Sequence, residues 1–217
     1  MSESDSPVVL IVEDEPAVAE GYELWLEGEY ETKRAADGAE ALEVVDETVD
    51  VVMLDRMMPE LSGEQVLAEV RERELDVRVV MVSAVEPDFD VIEMGFDAYI
   101  TKPPDREELL ETIDGLIHRA ELDDDLQEYY SLMERKSTLE AQKTEAELAE
   151  SAEYAELQER IDSARAEADD ALGDVGDDQG FVGANRELFG EPESENATLA
   201  EDVIDETDAM GGEDEEN

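Results

Sequence analysis

Four short apolar runs in this chain each stop at a residue able to do chemistry. Val51-Val52-Met53-Leu54 stops at Asp55, and Val8–Val12 stops at Glu13-Asp14-Glu15. Val79–Val82 stops at Ser83, and Ala98–Thr101 stops at Lys102-Pro103. Runs this short and this apolar suit strands buried on both faces, as in a parallel sheet. Open α/β sheets place their chemistry at the carboxyl ends of such strands. Brought to one edge, the runs supply three carboxylates, one hydroxyl and one ammonium. Carboxylates held together repel unless one is protonated or a cation joins them. Clustered oxygens with little other neutralisation suit Mg²⁺, a hard cation that keeps several waters. Lys102 and Ser83 would then face the outer oxygens of a phosphoryl group. The set reads as a phosphoryl-accepting carboxylate, Asp55, with a metal beside it. The plainer alternative for Asp55 alone is a polar residue that ends a strand.

The spacers between these runs read as helices. Pro16 stands at the first turn of a helix capped by Asp14 or Glu15, with Val18, Tyr22, Trp25 and Leu26 on one face to about Glu27. Trp25 is a packing residue in this reading. Tyr30–Ala35 is a weaker, edge-like strand, and Asp37–Glu47 is a helix with Ala41, Leu42, Val44 and Val45 inward. After Asp55, Pro59 and Gly63 are turn residues. Ser62 is an N-cap for a helix to about Glu74 with Val66, Leu67 and Val70 inward. Pro87–Met94 is a short helix, and Asp105 opens a longer one bearing Leu109, Leu110, Ile113, Leu116 and Ile117. The alternation predicts a doubly wound α/β domain of five parallel strands in the order 2-1-3-4-5.

Glu13-Asp14, Asp55 within LDRMMPELSG, Ser83-Ala84 and Lys102-Pro103 agree in identity and order with a known pattern. Over residues 7–120 the chain resembles the receiver domain of two-component response regulators. The resemblance implies that Asp55 accepts a phosphoryl group from a sensor histidine kinase and that Glu13 and Asp14 hold Mg²⁺ with it. It further implies that the backbone carbonyl of Met57 joins the metal shell. Lys102 would pair with the phosphoryl oxygens, Ser83 would hydrogen-bond one of them, and Tyr99 would be the aromatic switch. Glu at position 13 is a common variation of the acidic pair.

A second helical region follows. Leu122, Leu126, Tyr129, Tyr130, Leu132 and Met133 extend the apolar pattern, and Thr144-Glu145-Ala146-Glu147 is a capping box. Tyr154, Leu157, Ile161, Ala164, Ala168 and Ala171 form a thin heptad seam. Two helices of this size bury little surface alone. They are expected to fold as a hairpin, to pack on another subunit as a coiled coil, or both. The Tyr-Tyr pair, Arg135-Lys136-Ser137-Thr138-Leu139-Glu140 and the Tyr154/Leu157 helix resemble the HalX domain of haloarchaeal regulators over 121–172. Residues 1–6 are a polar tail. Residues 173–217 are a disordered acidic tail in this reading, because apolar content there is too sparse to offset ordering entropy.

Composition bounds the rest. The 217 residues include no Cys, so disulfides and thiolate sites are excluded. No apolar run approaches the roughly 18 residues that span a bilayer. The acidic N-terminus lacks the apolar core of a signal peptide. A cytoplasmic protein is expected. The net charge of −51 is spread along the chain. Acids and bases number 34 and 9 over 1–121, 16 and 5 over 122–172, and 16 and 1 over 173–217. Such self-repulsion opposes the compact state in ordinary salt. It is screened near 1 M salt, where the Debye length is about 3 Å. This resembles the proteins of halophiles and describes the solvent rather than a partner.

Two other functions compete with this reading. A phosphatase with an aspartyl nucleophile, of the haloacid dehalogenase kind, needs a second Asp two residues on, where this chain has Met57. A DNA-binding transcriptional regulator acting through the helical segment needs a basic surface. There Arg135, Lys136 and Lys143 are the only close cluster, read as solvated partners of neighbouring acids. His118 is expected to be exposed. The output partner is unspecified, and a weak homodimer tightening on phosphorylation is the expected assembly.

Overall fold

The computed structural model describes residues 6–120, 122 and 124–171. The expected polar tail, apart from Ser6, and the expected acidic tail at 173–217 lie outside the described residues. Five parallel strands form one sheet: β1 (Val8–Val12), β2 (Glu31–Ala35), β3 (Val51–Asp55), β4 (Arg78–Ser83) and β5 (Ala98–Thr101). Their order is β2-β1-β3-β4-β5, as the alternation predicts. β1, β3 and β4 are almost wholly buried, which is why they read as continuous apolar runs. β2 lies at one edge and is half exposed. Helices α1 (Pro16–Leu26), α2 (Gly38–Val44), α3 (Gly63–Glu72), α4 (Val91–Met94) and α5 (Arg106–Ala120) connect and flank the strands. Val9, Ile11, Met53, Val80 and Ile100 form a core with Tyr22 and Leu26 of α1 and Leu109, Ile113 and Leu116 of α5; Trp25 packs against it.

Local chemistry accounts for the helix starts. Ser62 and Gln65 form a reciprocal capping box at α3. Asp37 caps α2 by accepting the Glu40 N–H, and Asp105 accepts the Glu108 N–H at α5. Glu15 precedes α1 without a side-chain cap, and Pro16 opens it. Two helices are shorter than expected. α2 stops at Val44, because Val45 turns extended and inserts its side chain into the interior. α4 is a single turn. The residues before it make long-range pairs instead, Asp88 with Lys143 and Asp90 with Arg56.

Beyond Leu122 lie α6 (Asp124–Glu140), α7 (Glu145–Glu150) and α8 (Ala152–Ala171). The Thr144 capping box starts α7, but the helix does not run on to Ala171. Ser151 breaks it by turning extended, and its hydroxyl accepts the Tyr154 N–H of α8 at 3.0 Å. α6 and α8 pack together as an intramolecular hairpin that lies against α4 and β5. The seam residues Tyr154, Leu157, Ile161, Ala164 and Ala168 are buried, as are Leu126, Tyr129, Tyr130, Leu132 and Leu139 of α6. Of the expected outcomes the hairpin is the one seen, and α6 and α8 cover each other's apolar stripes within one chain. The hairpin also shields β5, an edge strand whose unpaired groups would otherwise invite another chain. Among the described residues no helix is long and apolar enough to cross a membrane.

Candidate functional site

Strand register gathers the chemistry. Val12 pairs with Leu54, Asp55 with Val82, and Ser83 with Thr101. Glu13 is therefore level with Asp55, and Ser83 and Lys102 follow within two residues along the same edge. The Lys102 N–H donates to the Ser83 carbonyl at 2.7 Å and extends the ladder to the site. The Lys102–Pro103 peptide is cis.

Carboxylate oxygens of Glu13, Asp14 and Asp55 all lie within 4.8 Å of one another. Lys102 Nζ donates to Glu13 Oε2 at 2.6 Å and to Asp55 Oδ2 at 2.8 Å. Glu13, Asp55 and Ser83 are 3 %, 7 % and 0 % exposed. Burial pushes the Glu13 carboxyl above its usual range, against the pull of the Lys102 ammonium. Burial disfavours charged Lys102, but its bonds to Asp55 and Glu13 outweigh that, and its pKa is raised. Two of the three carboxylates thus share a single ammonium. The donor set is hard oxygen, it is short of positive charge, and it fits Mg²⁺.

The loop after Asp55 is shaped by backbone contacts. Asp55 Oδ1 accepts the Met57 N–H at 3.0 Å, so the other oxygen is the one toward Lys102. The Gly63 N–H donates to the Arg56 carbonyl. A Cβ at Gly63 would fall 2.2 Å from the Asp55 carbonyl oxygen, so the tight closure of this loop requires glycine. Met57 is 63 % exposed, and it meets the site through its backbone N–H.

Ser83 Oγ accepts the Val85 N–H at 3.0 Å, and the Tyr99 hydroxyl donates to the Val85 carbonyl at 2.6 Å. One residue, Val85, therefore joins the site hydroxyl to the aromatic residue. Tyr99 also stacks obliquely on Phe96, with ring centroids 5.5 Å apart. Glu13, Asp14, Asp55 and Lys102 come together, Met57 meets Asp55 through its backbone N–H, and Ser83 is linked to Tyr99 through Val85.

Arg56 was not singled out from the sequence. It follows Asp55 directly, is buried, and pairs with Glu64 at the start of α3 and with Asp90 before α4, beside the Tyr99 hydroxyl. Its only sequence signal is a charge placed next to Asp55; its partners lie 8 and 34 residues away. Arg135 and Lys143 correct the expectation of solvated partners for neighbouring acids. Arg135 is buried and bonds the Ile92 carbonyl and Ser131 rather than an acid, and burial pushes its pKa down to about 10. Lys143 pairs with distant Asp88. Lys136 does pair with a neighbour, Glu140, and His118 is exposed.

Comparison with known proteins agrees with this geometry. Residues 9–114 match the family model of the response regulator receiver domain, and residues 118–184 match that of the HalX domain. The chain therefore carries a response regulator receiver domain followed by a HalX domain. It is 43 % identical over 166 residues to a Haloferax volcanii protein provisionally named a transcriptional regulator, covering 76 % of this chain and 28 % of that one. It is 38 % identical over 121 residues to the sensory transduction protein RegX3 of Mycobacterium tuberculosis, covering 54 % of this chain and 53 % of the other. The chain thus spans about half, or less, of the length of these relatives. Among solved structures, a CheY-like response regulator receiver protein from Methanospirillum hungatei superposes with a TM-score of 0.50. It is 27 % identical, and the match covers 53 % of this chain and 96 % of that one.

Proposed function

We propose that this protein is a two-component response regulator in which Asp55 accepts a phosphoryl group from a sensor histidine kinase. The observation that carries the reading is the convergence of Glu13, Asp14, Asp55 and Lys102 at one sheet edge. Glu13, Asp14, Asp55 and the Met57 carbonyl would hold Mg²⁺, which when bound neutralises charge developing on the transferred group. An Asp55 carboxylate oxygen forms the new O–P bond as the bond from phosphorus to the donor's imidazole nitrogen breaks, and the imidazole leaves with the electron pair. Lys102 holds the phosphoryl oxygens where the negative charge resides. Ser83 hydrogen-bonds one of them, and Tyr99 follows the change through Val85.

The domains in this reading are a receiver over 7–120 and a helical HalX-like output segment over 121–172, with polar tails at 1–6 and 173–217. The resting form is a monomer whose hairpin lies on its own receiver. A weak homodimer belongs to the phosphorylated form, and the output reaches transcription or a protein partner. Direct DNA binding by the hairpin is the second reading. It is disfavoured because Arg135, one of its three clustered bases, is buried inside the chain.

The test is mass spectrometry after incubation with acetyl phosphate. Wild type gains one phosphoryl group with Mg²⁺ and none without it. Equal gain by Asp55→Asn would remove Asp55 from the role.

A further inference from the structure

A small cavity lies where the hairpin meets the α/β domain. Arg78 at the start of β4, Asp97 just before β5 and Arg119 of α5 line one side of it; Gln127, Tyr130 and Ser131 of α6 line the other. Its volume is about 10 Å³, room for one atom-sized occupant and too little for a polyatomic ion. α6 is bonded onto the rim, with Ser131 Oγ donating to the Phe96 carbonyl at 2.9 Å.

The surroundings are rich in guanidinium. Asp97 is buried, and its Oδ2 accepts from Arg71 Nη2 at 2.6 Å and from the Val79 N–H at 2.7 Å. Arg78 Nη1 is 4.0 Å from its Oδ1, and the charges of Arg119 and Arg135 also act on it. Four of the chain's 15 basic residues thus converge on one buried acid. Other acids nearby do little to balance them. Asp76 takes Arg78 from the solvent side, with its own side chain 84 % exposed, and burial pushes Glu134 toward its neutral form. Arg119 Nε donates to the Gly115 carbonyl at 3.2 Å, while Glu134 and Asp97 act on its charge only at longer range. Arg78 keeps a buried Nε–H with no acceptor among the described residues.

We propose that this cavity is a site for one monatomic anion, chloride in a potassium chloride medium, held by Arg78 and Arg119 at the joint between the α/β domain and the hairpin. A water fits the same volume, and charge chooses between the two. A buried cation without a counter-charge is costly, and a water brings none. The anion gives the Arg78 Nε–H an acceptor and balances the converging bases. α6 supplies one side of the wall, so lifting it opens the cavity. A ligand that binds only the closed form stabilises that form by mass action, and chloride therefore favours the docked α6. The site makes no use of Asp55 and stands or falls apart from the function proposed above.

The experiment follows hydrogen exchange of α6 in the full-length protein at constant potassium, with chloride replacing glutamate, an organic anion too large for the cavity. For a site half filled at about 0.5 M, exchange should slow about fivefold between no chloride and about 2 M chloride. Bromide should act as chloride does, and sulfate should not. The chloride effect should vanish in Arg119→Gln and persist in Arg106→Gln, which removes an exposed base from the same helix. Should Arg119→Gln not fold, crystals of wild type grown in potassium bromide give a separate reading, with the anomalous signal of bromine expected between Arg78 and Arg119. A chloride effect of equal size in Arg119→Gln, equal slowing by sulfate and chloride, or a water in place of bromide between the two arginines would overturn the site.

Discussion

Replacing Lys102 by Met should move two properties of the site in opposite directions. The ammonium sits 2.6 Å from Glu13 and 2.8 Å from Asp55. Without it, three carboxylates with oxygens inside 4.8 Å keep no positive neighbour from this set. Opposite unit charges about 4 Å apart are worth ~4 kcal/mol at the effective dielectric of a partly buried site. Lys102 divides that between two acids, and water and Mg²⁺ recover a share. About 2 kcal/mol should then be lost from phosphoryl transfer, a rate roughly 30-fold lower. The same loss leaves the carboxylates more negative, so Mg²⁺ should bind about tenfold tighter, an electrostatic gain of ~1.4 kcal/mol. The rate is read from intact-mass time courses with acetyl phosphate at saturating Mg²⁺, the affinity from calorimetric titration. Weaker Mg²⁺ binding, or an unchanged rate, would refute the reasoning that one ammonium serves both the carboxylates and the phosphoryl oxygens.

Three further outcomes follow from the packing. Gly63→Ala puts a methyl against backbone atoms of Asp55 and Arg56 that cannot swing away, so it should cost ~3 kcal/mol in denaturant unfolding and abolish Mg²⁺-dependent phosphorylation. Leu157→Ala empties a fully buried position between α6 and α8 and should cost ~2–4 kcal/mol, with hydrogen-exchange protection lost first in the hairpin. Glu134 on α6 has its pKa raised by burial, opposed by Arg119 and by the Tyr99 N–H that faces it. A raised folded-state pKa gives stability that is complete below the unfolded value near 4.5 and is lost as pH rises through the folded value. The stability of wild type relative to Glu134→Gln should therefore fall as pH rises above about 4.5. A difference flat from pH 4.5 to 7.5 would contradict that assignment.

The strands and the site edge were legible because both depend on local pattern. Val8–Val12, Val51–Leu54 and Val79–Val82 are buried on two faces and so are apolar throughout. Each ends at the edge where Glu13, Asp55 and Ser83 emerge. Capping chemistry is equally local, and Ser62, Asp105 and Thr144 start helices where their side chains said they would. What was not legible depends on partners distant in sequence. α4 is short because Asp88 and Asp90 are taken by Lys143 and Arg56, 55 and 34 residues away. Arg135 looked like a surface base in an acidic helix, and only the fold shows its guanidinium on a carbonyl 43 residues back. The heptad seam of α8 was readable as a seam, but nothing in its spacing says whether the partner helix belongs to the same chain. The structure supplies α6. Ser151 was hidden for the opposite reason, since a single serine inside a helical pattern gives no notice that it will leave the helix and cap the next one.

The central claim is that Asp55 is the one carboxylate here that takes a phosphoryl group. An acyl phosphate can be reduced by borohydride, which converts the modified aspartate to homoserine and marks its position permanently. Treated with acetyl phosphate and Mg²⁺, reduced and digested, the protein should yield homoserine at residue 55 and aspartate at residue 14. Homoserine at position 14, reduction of the Glu13 side chain, or an unmodified Asp55 peptide from phosphorylated protein would contradict the account.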